Sequence, residues 1–175
     1  MRKLRRYDLT EIAAHFLRLD QPTRRARFGS FLNDDLIGRY ATHFFDDDPI
    51  AFGAFRDGKL RAIGELRSAR PGWMSDAEIA LSVEPGWQGQ GIGSALFERI
   101  VTAARNRGMK LLHVLFLNEN ERMRRITAKH HPELEFHGGE VEATLDPPWP
   151  TPFSIAEEMI DDANAYVQSV YERDP

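Results

Sequence analysis

The chain has no cysteine. That one absence excludes disulfide staples, cysteine-ligated metal centres and a cysteine acyl-enzyme. It agrees with a cytoplasmic location, which is the expectation. No apolar run approaches the roughly 18 residues that a membrane span needs. The charged start, Met1-Arg2-Lys3-Leu4-Arg5-Arg6, lacks the apolar stretch of a signal peptide, so no membrane partner is expected. Positive charge is not in excess either: 23 Lys and Arg stand against 27 Asp and Glu, a net charge of −4. That balance offers no electrostatic footprint for nucleic acid. Two local basic runs, Arg2 to Arg6 and Arg24-Arg25-Ala26-Arg27, read as solvated faces or helix ends. The six histidines show no metal-ligand spacing, and no metal is expected. Internal repeats and low-complexity segments are lacking too.

A chain of 175 residues with 42% apolar side chains can bury one core. Residues 1–150 are expected to form the domain, and residues 151–175 a helical extension of it. Residues 2–7 can form a short strand, and Asp8 or Thr10 can cap a helix carrying Ile12, Ala13, Phe16 and Leu17 on its inner face. Helical stretches follow from Pro22 to Leu32 and from Asp34 to Phe45. Asp46-Asp47-Asp48 reads as a solvated loop, or as a lure for a cationic acceptor. Strands Ile50–Phe55 and Leu60–Ser68 flank Asp57-Gly58, a tight-hairpin signal. Ala69–Ser75 reads as a loop whose Trp73 lines an acceptor pocket or packs on its own hairpin. A strand at Glu78–Val83 leads into the most informative stretch.

That stretch runs Glu84-Pro85-Gly86-Trp87-Gln88-Gly89-Gln90-Gly91-Ile92-Gly93-Ser94 and opens a long helix. Ile92, Leu96, Ile100 and Ala103 form the helix's apolar stripe, with Phe97, Val101 and Ala104 beside it, and Gly108 stops it. A strand, a loop without bulky side chains and a helix N-terminus together make an anion site. No Gly-Lys-Ser/Thr follows the glycines, so the loop is not a Walker A sequence. Most of a domain's strands precede it, which fits the Rossmann fingerprint poorly. Lys110–Phe116 is a further strand, parallel to the one before the helix by the crossover rule. Asn118-Glu119-Asn120 caps a helix to about His130. Strands Glu133–His137 and Glu140–Leu145 meet at Gly138-Gly139, and Ser154–Tyr171 has helical spacing.

The pattern Gln-x-x-Gly-x-Gly at Gln88, Gly91 and Gly93 resembles the pyrophosphate loop of the GNAT superfamily of acyl-CoA N-acyltransferases. The match extends upstream through Ala77-Glu78-Ile79-Ala80-Leu81-Ser82-Val83 and downstream to Asn120-x-x-Met123-x-x-Ile126. Trp87-Gln88-Gly89 and the Asn-x-x-Met spacing look most like the GNAT domains of bacterial protein-lysine acetyltransferases. The resemblance implies an α/β (α+β) fold: a mixed sheet of about six to seven strands with a splayed central parallel pair, flanked by helices. It implies acetyl-CoA as cosubstrate, held by main-chain groups of Leu81, Ser82 and Val83. The loop residues Gln88, Gly89, Gln90, Gly91, Ile92, Gly93 and Ser94 would hold the diphosphate, and Asn120 and Met123 would hold the pantetheine arm.

N-acyl transfer needs an amine lone pair, which a lysine-type ammonium of pKa about 10.4 lacks. Glu78 is the candidate general base, since the resemblance puts a proton-accepting glutamate there. A polar wall is the alternative role. Many family members place a tyrosine acid seven residues after the asparagine, but here Thr127 stands there. No tyrosine occurs between Tyr40 and Tyr166. His130 or His131 could substitute, or be helix-end histidines stabilised by the dipole. His113 reads as a satisfied core or edge residue. Three readings remain open: an N-acetyltransferase acting on a protein lysine or small amine, a non-catalytic acyl-CoA sensor, and an interaction protein whose glycines only turn the chain. The tail packs on its own domain or makes a homodimer contact.

Overall fold

The computed structural model describes residues 1–70, 73–156, 158–160 and 163, with the backbone alone at 69, 70, 73 and 74. A mixed sheet in the order β1-β2-β3-β4-β5-β7-β6 forms its middle layer. The strands are β1 (Arg2–Lys3), β2 (Ile50–Arg56), β3 (Lys59–Arg70), β4 (Trp73–Val83), β5 (Leu111–Leu117), β6 (Glu133–His137) and β7 (Glu140–Leu145). Neighbours run antiparallel except β4 and β5, which are parallel as the crossover rule requires. The helices are α1 (Leu9–Arg18), α2 (Gln21–Phe28), α3 (Asp34–Thr42), α4 (Ile92–Asn106) and α5 (Glu121–Thr127).

Strand alternation sorts side chains onto two faces. Ala77 and Ile79 of β4, Leu112, Val114 and Phe116 of β5, and Val141 and Ala143 of β7 lie in a core under α4. All seven apolar positions of the α4 stripe are buried there. On the opposite face Ile12, Phe16, Ile37, Ala41 and Phe44 of the first three helices and the turn after them cover Ala51, Leu60 and Ile63. Asp76, Glu78, Ala80 and Ser82 of β4 share that second face.

Several boundaries differ from the sequence reading, each for a local reason. The first strand stops at Lys3, because Asp8 spends its carboxylate on Arg2 (2.6 and 2.9 Å) and on the Arg5 amide (2.8 Å), which winds Arg6–Asp8 into a 3-10 turn. Asp8 occupies the N-cap position of α1 without capping it. Asp20 does cap α2, accepting from the Thr23 amide at 2.9 Å, and left-handed Gly29 ends α2 at Phe28, short of Leu32. Asn33 caps α3, which ends at Thr42 rather than Phe45. Strands β3 and β4 pair as far as Arg70 and Trp73, so most of the stretch read as a loop is strand. Pro71, Gly72 and the Trp73 side chain lie outside the described residues. The final helix is described only in part, over 152–156, 158–160 and 163. Its start packs on α4 of the same chain: Ser154 Oγ meets Asn106 Oδ1 at 2.6 Å, and Arg107 meets Glu158 at 2.8 Å. Residues 164–171 of the expected helix lie outside the described residues.

Candidate active site

Strands β4 and β5 pair only at Asp76–Leu111, Ala77–Leu112 and Glu78–His113. Beyond Glu78 they separate, while β4 stays paired with β3 through Val83 and β5 with β7 through Leu117. A cleft of ≈ 650 Å³ fills the gap. Its walls are Glu78–Val83, Val114–Phe116, the loop glycines Gly89, Gly91 and Gly93, Ser94, Asn120, Met123 and the α2 residues Thr23, Ala26 and Arg27. Backbone groups along such a gap have no ladder partner and need one.

The loop end of the cleft is built for close approach. Gly91 sits at the N-cap position of α4 with φ +80°, a left-handed conformation that side chains disfavour. A Cβ placed on Gly89 or Gly91 would meet nothing within 4 Å, so both line open space. A Cβ on Gly93 would come within 3.3 Å of Ile126 Cδ1, so that glycine lets α4 pack close to α5. The amides of the first turn of α4 lack intrahelical partners and carry the positive end of the dipole. The cradle therefore suits a diphosphate.

Most of the residues singled out from the sequence meet here. Leu81, Ser82, Val83, Gln88, Gly89, Gly91, Gly93, Ser94, Asn120 and Met123 all line the cleft, and so does Glu78. Ile92 points into the core instead, and Gln90 donates its side-chain amide to the Gly86 carbonyl at 3.1 Å. Gln88 braces the loop, donating Nε2 to the Val83 carbonyl at 2.9 Å and to Thr23 Oγ1 at 3.3 Å. Asn120 caps α5 through the Met123 amide at 3.1 Å and also lines the cleft.

Glu78 is exposed, at the point where the strands part. Among the described residues it makes no hydrogen bond or ion pair. Thr127 is buried and gives its hydroxyl to the Met123 and Arg124 carbonyls at 3.0 and 3.2 Å, so it turns away from the cleft. Neither His130 nor His131 lines the cleft. His130 packs against Phe97 with the rings tilted and their centroids 5.0 Å apart, and stands 3.2 Å from Glu98. His113 pairs with Glu142 at 2.9 Å.

The chain matches the family model described as acetyltransferase (GNAT) family over residues 10–131. This chain belongs to the GNAT acetyltransferase family. Its fold is shared with the GNAT domain of S. lividans PAT, at 22% identity and TM-score 0.69 over 83% of this chain and 88% of that one. It is likewise shared with an N-acetyltransferase from Staphylococcus aureus Mu50, at 18% identity and TM-score 0.64 over 84% and 97% of the two chains. A putative acetyltransferase from Salmonella typhimurium, solved with its cofactor acetyl-CoA, matches at 14% identity and TM-score 0.63 over 86% and 94%.

Two buried polar clusters flank the GNAT cleft, and neither was read from sequence. In the first, His15 is fully buried, 2.8 Å from Ser82 Oγ and 3.3 Å from Glu84 Oε1. Burial lowers the His15 pKa, so its Nδ1–H donates to Glu84 and its Nε2 accepts from Ser82. Burial alone would raise the Glu84 pKa, but donors on His15, Arg18 and Arg61 outweigh it and bring the carboxyl down to about 2. In the second, Glu65 is fully buried and accepts from Arg27 at 2.5 Å, Tyr40 at 2.6 Å and Arg67 at 3.1 Å. Burial opposes its charge, but the Arg27 and Arg67 guanidiniums prevail and hold its pKa low. Burial and Glu65 push the Tyr40 phenol up to about 12.

The run Arg24-Arg25-Ala26-Arg27 is a helix end, in the last turns of α2, and not a solvated face. Arg24 is buried, donating to the carbonyls of Leu17, Leu19 and Leu32, and Arg27 reaches Glu65. A signal in the sequence was Glu65 standing between the apolar Ala62, Ile63 and Leu66 of β3.

Proposed function

We propose that this GNAT protein is an acetyl-CoA-dependent N-acetyltransferase that moves the acetyl group to a primary amine by direct attack in a ternary complex. One observation carries the reading: a single cleft joins the glycine cradle, the unpaired edges of β4 and β5, and the exposed carboxylate of Glu78. The amides of Gly89, Gly91, Gly93 and Ser94 hold the diphosphate. Freed backbone groups of Leu81, Ser82 and Val83 hold the pantetheine arm, and a main-chain N–H of β4 polarises the thioester carbonyl. Asn120 and Met123 close the arm's other side.

Glu78 takes the amine's proton as nitrogen attacks the carbonyl carbon. The carbon–sulfur bond then breaks. Thr127 supplies no acid, and the thiolate, whose conjugate acid has a pKa of roughly 8.5, leaves without one. Release of free thiol over a panel of amines tests the reading. Glu78→Gln should lower kcat about 10²- to 10⁴-fold while calorimetry shows acetyl-CoA bound as before. Unchanged kcat would remove Glu78 from the chemistry. The buried hydroxyl of Thr127 also suits a domain that binds acyl-CoA without turnover. Binding with no product from any amine would establish that second reading instead.

A further inference from the structure

The acceptor end of the cleft holds a cation that this chemistry does not use. Arg27 lines the cleft together with Glu78, and its side chain is 9% exposed. Its Nη2, which belongs to both edges of the guanidinium, donates to Glu65 at 2.5 Å and to the Tyr40 oxygen at 2.8 Å. Its Nε is buried without a hydrogen-bond partner, and among the described residues Nη1 makes no hydrogen bond. Nη1 is left to give one charge-assisted hydrogen bond to a carboxylate oxygen.

Charge balance points the same way. Glu65 is shared by Arg27 and Arg67, two cations on one buried anion. Arg67 has a second carboxylate in Asp47, but that side chain is 87% exposed and 4.0 Å away, which neutralises little. Glu78 is close enough for its field to reach Arg27, yet it makes no ion pair with it. A fixed positive charge in a largely buried wall repels a bare ammonium and attracts an anion.

Helix α2 supplies Asp20, Pro22, Thr23, Ala26 and Arg27 to one wall. It is tied to the glycine loop through Thr23–Gln88 and to the loop after β5 through the Arg25–Glu119 ion pair. The lining residues Glu78 and Leu115 are exposed and mark an opening of the cleft.

Building on the transfer reaction above, we propose that the acceptor is a small amine that itself carries a carboxylate, an amino acid or a close analogue. Arg27 anchors the carboxylate, and Glu78 receives the proton of the amine a few bonds away. In the balanced step a nitrogen–carbon bond forms and the carbon–sulfur bond breaks. The acceptor's ammonium gives one proton to Glu78, which passes it to solvent, and the nitrogen's second proton goes to the departing thiolate, giving the N-acetyl amino acid and free coenzyme thiol.

The test compares amino acids with their carboxamides and their decarboxylated amines, following thiol release from acetyl-CoA by the unmodified protein. The carboxylated member of each set should have the higher kcat/KM, by about tenfold to a hundredfold. Arg27→Lys should raise KM for that member more than it lowers kcat, and should narrow the preference. Equal or better use of the amides, the amines or a lysine peptide would overturn the proposal. So would turnover of no carboxylated acceptor while calorimetry still shows acetyl-CoA bound. Failure to bind acetyl-CoA at all would sink the transferase reading itself. Since Arg27→Lys could weaken the Glu65 cluster, its fold is checked by thermal unfolding, and the unmodified protein's acceptor preference decides on its own.

Discussion

Replacing Gly91 by valine separates the two things a glycine does in this loop. The first is conformational. Gly91 holds φ +80°, and a residue with a Cβ pays about 1–2 kcal/mol to stay left-handed. For a chain of 175 residues that is a fall in Tm of about 2–8 °C, which leaves the protein folded. The Cβ itself adds no clash, because it meets nothing within 4 Å. The second is access. The open space beside Gly91 is where the diphosphate is proposed to lie. A valine there holds the phosphates off the amides. Losing two charge-assisted hydrogen bonds of about 1.5–3 kcal/mol each raises Kd for acetyl-CoA at least about a hundredfold. Isothermal calorimetry reads the affinity. Thermal unfolding with and without ligand reads the coupling: acetyl-CoA at about 100 times Kd should stabilise the unmodified protein by about 2.7 kcal/mol. The variant at the same concentration should gain almost nothing. Gly86→Ala is the control, because Gly86 has open space too but does not line the cleft. If Gly91→Val folds and binds acetyl-CoA within a few-fold of the unmodified protein, the diphosphate does not rest on this loop.

Gly64→Ala tests packing instead of binding. The added Cβ would lie 2.5 Å from Ile100 Cδ1 and 3.1 Å from Leu81 Cδ2, beneath α4. Overpacking there should cost about 1–3 kcal/mol in urea unfolding, and a neutral result would mean α4 can ride outward freely. The His15–Glu84 cluster predicts acid lability. Both groups have folded pKa values below their unfolded ones, 6.5 for His15 and 4.5 for Glu84, so the unfolded chain binds the extra protons. The His15 contribution is complete above about pH 6.5 and declines as pH falls below it. The Glu84 contribution is complete above its unfolded value of 4.5 and is lost on the way down to about 2. Lowering the carboxyl from 4.5 to about 2 is worth up to about 3 kcal/mol. Glu84→Gln should be less stable at pH 7 and lose less between pH 5 and pH 3. An unaltered slope in that window would show that Glu84 is not the group responsible.

What could be read in the sequence was whatever repeats along one element. The period of α4 exposed its buried stripe, and the glycine spacing with the strand before it located the cleft. Gly138-Gly139 and Asp57-Gly58 marked their hairpins, and both Asp57 and Gly58 take positive φ. Contacts made across elements left no such trace. The burial of Arg24 depends on carbonyls from the end of α1 and the segment after α2, and Arg27 on Glu65 in a strand far along the chain. The side chain of Gln88 braces β4 and α2, and its place in the glycine pattern gave no sign of that. The extension of β3 and β4 to Arg70 and Trp73 was hidden because that stretch carries loop-forming residues, while strand pairing continues almost up to Pro71-Gly72.

The separation of β4 from β5 has a mechanical origin in these same cross-element contacts. Two parallel strands joined by a helix would normally pair along their whole length. Here each is held elsewhere just past Glu78. β4 keeps its ladder to β3 through Ser82 and Val83, while Ser82 is bonded to His15 and Glu84 is clamped by Arg18 at 2.7 Å and Arg61 at 2.9 Å. β5 keeps its ladder to β7 through Leu117–Glu140, and Asn118 continues it by donating to the Gly139 carbonyl at 2.8 Å. Each strand is thus anchored on its outer edge, and closing the gap would have to move it against those bonds. Loosening the clamp should therefore narrow the cleft before it unfolds the sheet. Glu84→Gln should then weaken acetyl-CoA binding although Glu84 does not line the cleft. Unchanged affinity in a folded Glu84→Gln protein would show that the strands part for another reason.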